Sequence, residues 1–214
     1  MAKAKIIAAI DVGSSKIATL IAQHREDEEK LHIIGVAASP SKGVRKGQVV
    51  NIEETVEAIV TSVESAERMA GFNVSKAWVL LDGAHIGSQN SKGVVAVSQP
   101  HGEINADDVR RVMEAAKAVS LPTSCEIVHV VPRSFTVDGQ TGIKDPIGMT
   151  GVRLEVDTHI VTGSSTTIKN LAKCVSEVGC DVAGLGFGGL ASGESCLTAT
   201  ERELGVVLVD IGGG

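Results

Sequence analysis

One local design occurs twice in this chain and constrains its fold more than any other feature. "IAAIDVGSS" at residues 7–15 and "VVLVDIGGG" at residues 206–214 each run an alternating apolar strand into an Asp, an apolar residue, then Gly and small residues. The two acids, Asp11 and Asp210, stand 199 positions apart (210 minus 11). Gly13 in the first copy, and Gly212, Gly213 and Gly214 in the second, lack the Cβ that would block an anion. They also permit positive φ, so successive backbone N–H groups can converge on a phosphate. Phosphate would repel Asp11 and Asp210 directly. The pair makes sense with Mg²⁺ and its water shell between carboxylate and phosphate. Ser14 and Ser15 add hydroxyls, and Lys16 adds a point positive charge toward the same group. A single strand–Asp–Gly turn is weak evidence, because such turns are common for structural reasons; a duplicated one points to two jaws of one phosphate site.

The intervening pattern supports an α/β fold. "KIIAAIDVG", "SKIATLIAQ" and "LHIIGVAA" read as three strands of a hairpin meander, with Ala18, Leu20 and Ala22 suggesting that the second strand is covered on both faces. A helix follows, with Asn51 and Glu54 as a capping-box pattern, Ile52, Val56, Ile59, Val60 and Val63 on one face, and Gly71 as the stop. "KAWVLL" returns as a strand. From about residue 83 the texture changes to short strands, "GVVAVS", "EIVHVVP" and "VRLEVDTHIV", and one helix that starts at Asn105. In the last of these strands Leu154, Val156 and Ile160 face one way, and Glu155, Asp157 and His159 the other. The helix "STTIKNLAKCVSEVG" then resumes the first pattern, and "LGVVLVD" closes it as a strand. An α/β domain interrupted by a smaller α+β insertion is the simplest organisation.

Several chemistries are excluded or weakened. A net charge of −6 argues against nucleic acid as a partner. Cys125, Cys174, Cys180 and Cys196 have neither C-x-x-C spacing nor paired histidines nearby, which leaves zinc and thioredoxin-type chemistry unsupported. "GLGFGG" fits G-x-G-x-x-G at Gly184, Gly186 and Gly189, but no long buried strand is read before it, and the glycines are better explained by close packing at a helix start. "GSSTTIK" lacks the Lys-Ser/Thr ending of a phosphate loop and reads as a Ser-capped helix start. Asp11 cuts the N-terminal apolar run below signal-peptide length, so a cytoplasmic protein is expected. No catalytic base can be named.

"IDVGSSK" and "VVLVDIGGG" resemble the phosphate 1 and phosphate 2 motifs of the actin, Hsp70 and sugar kinase superfamily. "KGVRKGQVVNIEETVEAI", "GIKDPIGMTGVRLEVDTHIVT" and "TERELGVVLVDIGGG" are similar to the bacterial cell-division family FtsA. The resemblance implies an actin-like, ribonuclease H-like α/β domain. Residues 1–82 and 163–203 would form subdomain 1A, 83–162 the inserted subdomain 1C, and 204–214 the first strand and phosphate loop of subdomain 2A, truncated at the start of the second lobe. It implies ATP held with Mg²⁺ by Asp11, Gly13, Ser14, Ser15, Lys16, Asp210, Gly212, Gly213 and Gly214, with Asp11 and Asp210 facing the metal through water and hydrolysis weak or absent. The family usually has Thr where this chain has Ser14, which keeps the hydroxyl.

The implied partners are other copies in a filament, the tubulin-like FtsZ, and later division proteins through subdomain 1C. Membrane contact would come through a C-terminal amphipathic helix, at the cytoplasmic face of the inner membrane at the division site. That helix and the FtsZ site are expected beyond residue 214. The rival expectations are a sugar kinase or Hsp70-like ATPase on the same cradle, and a stand-alone interaction module.

Overall fold

A computed structural model describes residues 4–28, 30–98 and 102–213. The chain divides into two compact units, one made of residues 1–86 and 164–214 and the other of residues 87–163.

The first unit is built on a five-stranded sheet. Strands β1 (Ala4–Val12), β2 (Lys16–Arg25) and β3 (Leu31–Pro40) form the expected antiparallel meander. After them come a small hairpin, β4 (Val44–Arg45) and β5 (Gln48–Val49), and helix α1 (Ile52–Ala70). Strand β6 (Lys76–Leu81) pairs parallel to β1, and β11 (Asp181–Phe187) pairs parallel to β6, giving the order β11-β6-β1-β2-β3. The three parallel strands therefore bring their carboxyl ends to one edge of the sheet. That edge is where open α/β sheets hold ligands.

Helix α1 forms where its caps dictate. Asn51 accepts from the Glu54 N–H, and Gly71 ends the helix in the left-handed region at φ 71°. Its buried face is more polar than the pattern suggests, with Thr55 and Ser62 fully inside. The Ser62 hydroxyl is 2.8 Å from that of Thr19 on β2, a buried pair that satisfies both groups. Helix α3 (Ser165–Glu177) packs beside α1, and Ser164 caps it as expected. Ile10, Ile17, Ile21, Val79 and Leu81 of the sheet and Ile59 of α1 are fully buried.

The opposite face departs from the expectation of a doubly covered β2. Leu20 is 38% exposed, Val36 49% and Trp78 50%, and the register places Leu20 opposite both Ala9 and Val36, with Trp78 beside Ala9. These residues share one face because directly paired residues point the same way. Small and apolar residues alternate on β2 without showing which face a helix will cover.

Beyond β11, helices α4 (Gly188–Cys196) and α5 (Ala199–Leu204) lead into residues 205–213. The expected closing strand is not formed there. The segment runs without regular structure, and Val207 is 88% and Ile211 90% exposed. An apolar run becomes a strand only when a ladder partner satisfies its backbone groups, and none pairs with it among the described residues. The glycines of "GLGFGG" also sit differently from the expected helix start: Gly184 and Gly186 lie inside β11, and a Cβ on Gly184 would overlap the ring of Trp78. The turn at residues 39–51 likewise holds structure that its Gly-rich composition hid, the β4–β5 hairpin.

The second unit is an α+β body. Strand β7 (Gly87–Ala96) pairs with β10 (Arg153–Ser164), and β8 (Cys125–Val137) with the short β9 (Gln140–Ile143), in the order β7-β10-β8-β9. Helix α2 (Ala106–Lys117) lies against β7, where a Cβ on Gly93 would overlap the Val112 carbonyl. Leu154, Val156, Val112 and Phe135 form its core, and Glu155, Asp157 and His159 alternate toward the wetter side as expected.

Candidate functional site

The carboxyl edge of the parallel strands gathers the first set of sequence-predicted residues. Asp11 is half-buried near the end of β1, paired in register with Ala18 of β2 and Leu80 of β6. The β1–β2 turn is closed by the Gly13 N–H donating to the Lys16 carbonyl at 3.0 Å. A Cβ on Gly13 would lie 2.9 Å from that carbonyl, so the turn admits only glycine without adjustment. Ser14 is half-buried and its Oγ accepts from the Gly47 N–H at 2.8 Å; Ser15 and Lys16 are exposed.

Residues from the far end of the sequence arrive at the same place. A Cβ on Gly213 would lie 2.9 Å from Ser15 Cβ, and Asp210 is close enough to raise the pKa of Asp11. Burial is the larger cause of that rise, with Lys16 opposing it. Asp210 and Gly212 are exposed, and Gly214 lies outside the described residues.

A third acid completes the group and was missed in the sequence. Asp82 follows β6 directly, and its carboxyl is pushed up to about 6, first by burial and then by the charges of Asp11 and Asp210. Its side chain fills the space where a Cβ of Gly188, the first residue of α4, would stand. The signal was present: "WVLLDG" repeats the strand–Asp–Gly design of the two recognised loops.

Asp210 raises the proton affinity of Asp11, and both raise that of Asp82, so this edge is short of positive charge, with Lys16 as the cation acting on Asp11. Among the described residues no group of three or more His, Cys, Asp or Glu is close enough to hold a metal ion directly. The arrangement fits a hydrated divalent cation, which carboxylates reach through water. Among the described residues, no helix is long and apolar enough to cross a membrane.

Residues 83–162 match the SHS2 domain inserted in FtsA. The chain is 44% identical to the cell division protein FtsA of Borreliella burgdorferi over 98% of its own length and 50% of the relative's. It is also 44% identical to that of Bacillus subtilis, over 98% of its length and 47% of the relative's. It thus spans about half the length of the curated relatives it matches. Among solved structures, the PilM-PilN type IV pilus biogenesis complex superposes with a TM-score of 0.61 at 11% identity, covering 92% of this chain and 51% of that one. That likeness concerns the fold alone, which is actin-like. Along 98% of its length the chain is thus similar to the first half or so of FtsA proteins, and its residues 83–162 match the domain inserted in them.

Proposed function

We propose that this chain forms the first phosphate-binding half of an actin-like cell-division scaffold. It holds ATP with Mg²⁺ at the carboxyl edge of its parallel strands, polymerises, and takes part in linking an FtsZ ring to the membrane and to later division proteins. The observation that carries this reading is the convergence of the Asp11–Lys16 turn with the irregular Asp210–Gly213 segment, with Gly213 against Ser15 and Asp210 acting on Asp11. The cell-division role follows from the similarity to FtsA proteins along 98% of the chain.

Asp11 and Asp210 would hold the hydrated cation, while Lys16 and the Ser14 and Ser15 hydroxyls meet phosphate oxygens. Bound Mg²⁺ supplies charge neutralisation between the carboxylates and the phosphates. Asp11, Gly13, Ser14, Ser15 and Lys16 form the first jaw, and Asp210 with Gly212, Gly213 and Gly214 the second. FtsZ and membrane contacts are assigned to the part of the relatives' length that this chain does not span, and contacts to later division proteins to the inserted unit.

A phosphate-release assay run beside an equilibrium ATP titration tests the reading. Mg²⁺-dependent binding with little or no phosphate release is expected. Turnover above roughly 1 s⁻¹, in the range of ordinary enzymes, would favour a sugar kinase or Hsp70-like ATPase instead. Binding of ATP that ignores Mg²⁺ would contradict the carboxylate assignment.

A further inference from the structure

The β4–β5 hairpin lies outside every residue that the loop motifs assign, yet its tip touches two sides of the site. Lys46 and Gly47 form that tip, both with positive φ, 51° and 72°. The Gly47 N–H donates to Ser14 Oγ at 2.8 Å. On its other side Gly47 packs so closely on the Asp82–Gly83 backbone that a Cβ would overlap the Asp82 carbonyl, and Gly83 packs back against the Lys46 carbonyl in the same way. The base of the hairpin is fixed as well. The N–H groups of Val50 and Asn51 donate to the Gly43 carbonyl at 2.7 and 3.1 Å, and Asn51 is the N-cap of α1. The tip is thus held between the β1–β2 turn, through the Ser14 hydroxyl, and the loop after β6, backbone against backbone.

The consequence falls on Ser14. A serine hydroxyl carries one proton and two acceptor lone pairs. With the Gly47 N–H on one lone pair, the hydroxyl proton is turned away from the hairpin and is available to a second acceptor. A hydroxyl fixed in this state before an anion arrives gives up little freedom on binding it.

We propose that the β4–β5 hairpin is a third wall of the phosphate site, and that Gly47 is a positioning residue that sets Ser14 as a donor to a phosphate oxygen. This rests on the phosphate reading of the Asp11–Lys16 turn. It assigns a role to a segment that in sequence is only a Gly-rich connection.

The test is an amide ¹H–¹⁵N titration of the chain with Mg-ATP, read at residues 11–16 and at Gly47. In the unmodified chain the Gly47 amide is expected to shift along the same binding curve as residues 11–16. Ser14→Ala should weaken Mg-ATP by about fivefold, the worth of one hydrogen bond of about 1 kcal/mol, and should uncouple the Gly47 amide from the curve. Ser14→Thr, which keeps the hydroxyl, should retain both affinity and coupling. Lys46→Gly, which relieves the positive φ without removing the Gly47 N–H, should retain them too.

A Gly47 amide that stays still while residues 11–16 respond overturns the proposal and leaves the phosphate reading intact. So does a Gly47 response that survives Ser14→Ala. Silence at residues 11–16 themselves defeats the phosphate reading, and this proposal with it.

Discussion

Asp82 is the residue whose physics is most exposed to experiment. Its carboxyl is pushed up to about 6 from an ordinary 3.8 by burial, Asp11 and Asp210. A carboxyl raised in the folded state favours folding while protonated: that contribution is complete below the ordinary value and is lost as pH rises through about 6. Asp82→Asn should therefore stabilise the chain at pH 7.5, by about 1 kcal/mol once solvent screening of a partly exposed group is allowed for. At pH 4 it should change little, so urea unfolding at the two pH values checks the sign. The residues of the candidate site were named at this scale, because an Asp followed by small residues at a strand end is a local pattern. Asp82 was not read, since a single strand–Asp–Gly turn is ambiguous and only the parallel pairing of β1 with β6 brings it beside Asp11. The engagement of Ser14 by Gly47 was equally out of reach, for it joins residues 33 positions apart.

At the level of elements, capping and periodicity carried α1, α2 and α3, whose boundaries follow from Asn51, Asn105 and Ser164. What they hid was the role of Asp108. It is fully buried on α2, and burial alone would raise its pKa, but Arg111, the Ser98 hydroxyl and the N–H groups of Asn105 and Ser98 overcome that and hold it at about 2. Asp108→Ala should cost about 1–2 kcal/mol, since it removes half of a capping box and the acceptor shared by part-buried donors on Ser98, Asn105 and Arg111. Thermal unfolding of that variant should show the loss. The sign with pH is opposite to that of Asp82: a carboxyl lowered in the fold contributes stability above its ordinary value of 3.8, and that stability is lost as pH falls toward 2. Residues 205–213 teach the converse lesson. Their alternation reads as a strand, but a strand is a property of two partners, and this segment has an open backbone and exposed Val207, Val209 and Ile211. Its amides should exchange with deuterium without protection, while those of β1 and β6 exchange slowly. An exposed apolar run of this kind also favours association between chains.

The whole molecule joins an actin-like first unit to an inserted α+β unit, and texture alone suggested this division. What texture could not show is how open the site is. Asp210 and Gly212 are exposed, so the described residues surround a bound phosphate from few directions, and affinity depends on dry, converging contacts. Mg-ATP is therefore expected to bind this chain weakly, at a Kd above about 10 μM, or about −7 kcal/mol. The central claim is that the two loops act as one clamp. A double-mutant cycle on Mg-ATP binding with Asp11→Asn, Asp210→Asn and the pair measures that directly. If both acids serve one cation, each single substitution weakens binding and the double variant is little worse than the weaker single one, a coupling of about 1 kcal/mol or more. Strictly additive losses, or submicromolar binding that neither substitution changes, would contradict it.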